Sequence, residues 1–431
     1  MHRNQTKLLT LLLWILSASC LGRSALGAVP QETVLYSFAG APADGSLPNV
    51  GVAADKAGNL YGTTQYGGTT GNGTIFKLSP PSTKGGQWTE SVLYNFQGGA
   101  DGFSPYATPV LDPSGNLYGT TMMGGANNLG IIYQLSPPPV SGGAWTETIL
   151  HPFGGGADGA YPSGNLILDV KGNLYGTTQH GGNESGNCGL GCGTVFEMTP
   201  PLSKGGAWNE SILYSFIGYA SSATQGDGAF PQAALLMDRA GNLYGTTVRG
   251  GANPACWGGC GTVFRLHPAS GSWTEIVLHR FTGGADGSQP LSSLVLSNGI
   301  LFGTTYLGGT AGGGTVFELT PASGAWTLTP IYEFGVVASA GYIAGPGVAF
   351  DLHGNLYGIT LGNLQHNSTL FELTPPATSG GTWSEATLYT FSGTAGGAGP
   401  NGVLLVRGNT IVGTTIVGGS SQNGTVYELT H

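Results

Sequence analysis

Charge is scarce in this chain of 431 residues: Asp, Glu, Lys and Arg make up 8% of it, and Lys and Arg together number 13. Those 13 are scattered without a run, which excludes a nucleic-acid surface, because phosphate binding needs concentrated positive charge. The net charge of −9 has no acidic patch behind it and reads as ordinary solubility. Past the first thirty or so residues the chain lacks any long apolar run, so no membrane span is expected in the mature protein. Helical periodicity is missing as well. The chain has no nucleophile elbow, no H-E-x-x-H, and no phosphate-binding glycine motif between a strand and a helix, so no catalytic residue is assigned. What it has in abundance is glycine, 79 residues, with a 40% apolar and 10% aromatic fraction that is enough for a sizeable core.

The first segment reads as a targeting signal. His2, Arg3 and Lys7 open it, residues 8–16 are apolar and include Trp14, and Ala25-Leu26-Gly27-Ala28 offers small residues for cleavage. Residues 1–28 are therefore expected to be a signal peptide and residues 29–431 a single mature domain. Ser17-Ala18-Ser19-Cys20 approaches a lipobox, but Leu16 stands one place too early, so release is expected over lipid anchoring at Cys20. The expected location is secreted or extracytoplasmic. In such a compartment Cys188 with Cys192, and Cys256 with Cys260, are expected to close two equivalent loops as disulfides. A four-thiolate zinc site, joined by His180, is the competing reading.

One stretch, Gly58-Asn59-Leu60-Tyr61-Gly62-Thr63-Thr64, recurs throughout. Its tyrosine position is filled by Tyr61, Tyr118, Tyr175, Tyr244, Phe302, Tyr357 and Val412, a period of 55–69 residues that marks an array of supersecondary units. Around it each unit repeats an L-Y-x-F strand, an Asp-Gly turn, a short apolar strand closed by Asp-x-x-Gly-Asn, and a G-T-V-F-E-L strand. Each pattern alternates or is rich in β-branched and aromatic residues, as strands require. Four short strands repeated seven times give the expected fold class: an all-β, seven-bladed β-propeller. The last unit supplies only three strands, and the missing outer one stands alone at residues 34–38. The N-terminal strand is thus expected to complete the last blade, and a monomer suffices.

These motifs resemble the GloVer-type tandem repeat of exported, "choice-of-anchor" bacterial proteins, and the resemblance covers nearly all of residues 31–431. It implies a propeller-like fold and an extracellular or cell-surface role, and it brings no catalytic residues. The chain ends at Glu428-Leu429-Thr430-His431 with no sorting segment, so C-terminal anchoring is not expected.

Residues common to every unit should hold the unit together, while function should break the symmetry. Glu90, Glu147, Glu210, Glu275 and Glu385 are expected to be solvated strand positions, and Glu197, Glu318, Glu372 and Glu428 likewise. Asp55, Asp112, Asp169, Asp238 and Asp351 are expected to cap turns. Asp44, Asp101, Asp158, Asp227 and Asp286 are expected to project near the axis, mainly as turn residues, with a Ca²⁺-binding ring as the minor reading; no cofactor is otherwise implied. Gly62 and its equivalents are expected to let neighbouring blades approach. Variable loops share one face and carry Tyr66, His180, Arg249, Trp257 and Tyr306 as candidate ligand-binding residues, together with Phe103, Met122, Met123, Tyr161, Glu184, Tyr219, Phe230 and His366. Aromatics beside amides suit a glycan or a protein partner, so a non-enzymatic binding or scaffold role is expected. A propeller hydrolase or lyase acting on polysaccharide, and a purely structural surface protein, are the alternatives.

Overall fold

A computed structural model describes residues 30–431 apart from 141, 184–187, 204, 220–225, 252–254, 336–342, 363–366, 379 and 394. The expected signal peptide, Cys20, Glu184 and His366 lie outside the described residues. Seven antiparallel sheets of four principal strands surround one axis, a seven-bladed β-propeller. Among the described residues the only helices are the single 3₁₀ turns Gly99–Asp101 and Gly156–Asp158.

Blade 1 shows the pattern: an inner strand at Ala53–Ala54, a second at Leu60–Thr64, a third at Thr74–Ser79 and an outer one at Thr89–Asn95. The outer strands of blades 2 to 6 are Thr146–Pro152, Asn209–Ser215, Ser272–Arg280, Ala325–Glu333 and Ser384–Phe391. Blade 7 is built from Ala398–Arg407, Thr410–Val417 and Thr425–Thr430, and its outer strand is Gln31–Ser37. That strand pairs antiparallel with Thr425–Thr430, from Gln31 opposite Thr430 to Ser37 opposite Thr425, so the ring closes as the sequence predicts.

The core lies between blades. The phenylalanine ending each outer strand meets an aromatic ring on the next blade's third strand, edge to face in every pair but the tilted Phe334–Phe371. The pairs are Phe96–Tyr133, Phe153–Phe196, Phe216–Phe264, Phe281–Phe317, Phe334–Phe371 and Phe391–Tyr427, with centroids 5.0–5.5 Å apart. Phe38–Phe76, at 5.0 Å, makes the seventh such contact across the closure. Each pair adds about 0.5–1.5 kcal/mol beyond the area it buries. The repeated tryptophans also bridge blades: Trp208 packs on Tyr118, Trp326 on Tyr244 and Trp383 on Phe302.

Every letter of the repeated stretch has a task. Asp112 shows the first: Oδ1 accepts from the backbone N–H of Ser114 and Asn116, while Oδ2 accepts from Asn116 Nδ2 and the Tyr118 hydroxyl. Asp55, Asp169, Asp238 and Asp351 repeat this, as expected of turn caps. Blades 5 and 7 lack the Asp, and there the tyrosine becomes Phe302 or Val412, neither of which has a hydroxyl to satisfy. The first threonine stitches adjacent blades, with Thr63 donating to the Ala107 carbonyl, Thr304 to Gly345 and Thr414 to Val50. The second pairs with a threonine of the next strand in its own blade, as in Thr64–Thr74 at 2.8 Å.

The glycine corrects one expectation. A Cβ at Gly62 would lie 2.5 Å from the Phe76 ring of its own blade, so this glycine accommodates a cross-strand ring and not a neighbouring blade. Close approach between blades occurs at Gly73 and its equivalents. A Cβ there would lie 2.6 Å from Pro105 Cδ of the next blade, and Gly130, Gly193, Gly261 and Gly424 meet Pro162, Pro231, Pro290 and Pro48 in the same way.

Candidate functional site

The inner strands surround an axial cavity of about 250 Å³. One residue beyond the inner-strand proline, successive blades present Asn49, Tyr106, Ser163, Gln232, Leu291 and Asn401, with Gly345 in the equivalent place in blade 6. Side chains here differ from blade to blade while the backbone repeats. Several lining amides are already engaged: Asn401 Nδ2 donates to Asn49 Oδ1 at 2.6 Å, and Asn165 Oδ1 accepts from the Thr108 N–H at 2.8 Å. Tyr306 also lines the cavity. Among its described lining residues there is no carboxylate and no imidazole.

Around the mouth the backbone is strained in a repeating way. Leu47, Ser104, Tyr161, Phe230 and Gln289 each precede the inner-strand proline with φ between 54° and 59°. Left-handed backbone is unfavourable for such residues and persists only where surrounding structure holds it. Here the holding contact is a hydrogen bond to the preceding blade, as from Tyr161 N–H to the Leu129 carbonyl, 2.8 Å. For Phe230 and Gln289 the accepting carbonyls belong to Cys192 and Cys260. Both of these cysteines are disulfide-bonded, to Cys188 and Cys256, with Cα atoms 5.2 and 5.1 Å apart. The four-thiolate zinc reading is thereby excluded.

On this support sits an aromatic arc at the junction of blades 3 and 4. The His180 ring lies 5.7 Å from Tyr161 and 5.0 Å from Phe230, and burial lowers its pKa. Ala229, beside Phe230, bridges Arg249, whose guanidinium lies 4.6 Å from the Trp257 ring centre. That indole is 83% exposed. Thus Arg249 meets Trp257, His180 packs on Phe230 at the same junction, Tyr306 lines the cavity, and Tyr66 stands apart on the short strand Tyr66–Gly67 of blade 1. The sequence reading missed the wall residues Asn49, Tyr106, Asn165, Gln232 and Asn401. A signal was present: six of the seven units carry a proline just before this position, which itself varies from unit to unit.

Two carboxylate sets differ from expectation. Asp44, Asp101, Asp158, Asp227 and Asp286 turn away from the axis and back onto outer strands: Tyr36, Tyr94, His151, Tyr214 and His279 bond their carboxylates. These carboxylates are thus engaged at the blade junctions. The strand glutamates are not solvated. Glu90, Glu147, Glu210 and Glu275 each place a buried Oε1 without a partner at these junctions. Burial, reinforced by the adjacent aspartate, pushes them up to about 7, 7, 9 and 8 respectively. Burial also raises Glu385 and Glu318. Glu197 and Glu372 are half-buried and accept from the hydroxyls of Tyr175 and Tyr357.

The sequence matches the family model of the Gloeobacter/Verrucomicrobia repeat over residues 26–255 and 189–427. No curated protein matches it. Among solved structures, an ulvan lyase bound to -[GlcA(1-4)Rha3S]- is 13% identical with a TM-score of 0.53, covering 92% of this chain and 95% of its own. A protein from Lactobacillus plantarum is 15% identical with a TM-score of 0.51, covering 85% and 90%. Identities this low establish a shared fold and nothing about chemistry.

Proposed function

The chain belongs to the Gloeobacter/Verrucomicrobia repeat family, and from that premise we propose that it is an exported, non-enzymatic propeller that binds a glycan through its loop face. The observation that carries this reading is the aromatic arc beside the axial mouth, in which an exposed Trp257 is held flat by Arg249. An indole this exposed is unusual, and stacking on a sugar ring would use its apolar face while neighbouring amides take the hydroxyls. Export is supported by the two disulfides, which persist in oxidising compartments. Binding is favoured over a hydrolase because the cavity wall among described residues offers amides, hydroxyls and apolar groups, without the paired carboxylates that glycoside hydrolysis uses.

A glycan array with the mature protein, Trp257→Ala and Tyr306→Ala tests the proposal. Each substitution is expected to weaken the wild-type hits at least tenfold without altering the melting midpoint. Wild-type silence across the array, or full binding by both variants, overturns it. Product release from a polysaccharide panel would move the function to the enzymatic reading.

A further inference from the structure

Three blade junctions share one set of polar groups, and another departs from it in a way that builds a ligand set. At three junctions a tyrosine, an aspartate and a glutamate converge: Tyr36 with Asp44 and Glu90, Tyr94 with Asp101 and Glu147, Tyr214 with Asp227 and Glu275. Between blades 2 and 3 the phenol is replaced by an imidazole, giving His151, Asp158 and Glu210. Between blades 4 and 5 His279 meets Asp286, but Leu328 stands where the glutamate would be. Among the described residues only the junction of blades 2 and 3 joins an imidazole with two carboxylates.

We propose that His151, Asp158 and Glu210 form a binding site for a divalent transition-metal ion of the Zn²⁺ type, clamping blade 2 to blade 3. One ligand atom from each residue lies within 4.8 Å of the other two. Nε2 of His151 is 3.0 Å from Asp158 Oδ1 and 3.7 Å from Glu210 Oε2. Ligands of a tetrahedral site with bonds of about 2.0 Å stand about 3.3 Å apart, so small rotations centre an ion among these three. Glu210 Oε1 is sealed from water without a hydrogen-bond partner, as are Oε1 of Glu90, Glu147 and Glu275 at the phenol junctions, so what sets this junction apart is its imidazole. The side chains of His151, Asp158 and Glu210 are 21%, 26% and 12% exposed, which leaves a solvent route for the ion and room for a water as fourth ligand. One imidazole with two carboxylates favours Zn²⁺ over Ca²⁺, which takes six to eight oxygens.

The neighbouring junctions supply the variants. His151→Tyr copies the phenol junctions, and Glu210→Leu copies the leucine at Leu328, so both should fold. His279→Tyr is the control. Protein dialysed against EDTA and kept oxidised is titrated with Zn²⁺ by calorimetry, with bound metal counted by elemental analysis and thermal midpoints recorded. The expected result is one equivalent of Zn²⁺ for the wild type and for His279→Tyr. Affinity should fall at least tenfold in His151→Tyr and Glu210→Leu, and the ion should raise the midpoint only where it binds. Substoichiometric wild-type uptake, retention by either site variant, or equal loss in the control overturns the site. Because the readout is metal content, it is independent of any glycan result.

Discussion

If the ring is held shut by Gln31–Ser37 and Phe38, removing residues 30–40 must do more than trim a terminus. The structure sets the size of the effect. Phe38 is fully buried against Phe76, and replacing such a residue with alanine costs about 3–5 kcal/mol. Loss of the strand adds the ladder hydrogen bonds to Thr425–Thr430 and the bond from Tyr36 to Asp44, partly offset by the conformational freedom the segment regains. A net loss of about 4 kcal/mol in a ring of this size lowers the thermal midpoint by about 5 °C. The bared edge of Thr425–Thr430 also invites edge-to-edge pairing, so light scattering should rise at the same time. Differential scanning calorimetry of the mature chain, the truncation and Phe38→Ala measures this. A permutant carrying residues 30–40 after His431 through a short flexible linker should recover the parent midpoint. A truncation that melts like the parent, or a permutant no better than the truncation, would refute closure by this strand.

Three further outcomes follow from the junctions and turns. Glu275 is raised above its usual value by burial and by Asp227, so the folded state holds its proton more tightly than the unfolded chain. Stability from this group is therefore full below about pH 4.5 and lost as pH rises through about 8; Glu275→Gln should melt about 2 °C above the parent at pH 9, corresponding to about 2 kcal/mol, with the gap closing by pH 5. In the turn of blade 2, Asp112→Ala should cost about 2 kcal/mol and Tyr118→Phe about 1, yet the double variant should cost no more than Asp112→Ala alone, as urea titration can show. Replacing Cys256 and Cys260 with serine should cost about 2 kcal/mol or less, because the closed loop is short; hydrogen exchange should quicken around Trp257 while blade 1 is unchanged.

The repeat made the architecture readable, because a motif that must satisfy the same geometry seven times leaves the same residues behind. Strand order, blade count and the closing strand followed from that, and so did the disulfides. What stayed hidden were relations between repeats. Nothing in the Trp-Thr-Glu pattern says that Glu90 faces Asp44 across a junction, since the partner comes from another unit at a distance fixed only by blade geometry. Gly62 is a case of the same kind: sequence does not say whether a glycine admits a ring of its own blade or a neighbouring blade, and only the placement of Phe76 and Pro105 separates Gly62 from Gly73. The loop-face aromatics could be collected by eye, but the sorting of His180, Arg249 and Trp257 into an arc, with Tyr306 in the cavity and Tyr66 elsewhere, needed the fold.

Threonine hydroxyls such as those of Thr63, Thr304 and Thr414 fasten the second strand of one blade to the inner segment of the next through main-chain carbonyls, so those ties do not depend on which side chains line the bore. Side chains on the seven post-proline positions are left without a structural duty in common. Evolution can then re-letter that wall one blade at a time, as a combination lock whose dials turn independently while the casing never changes.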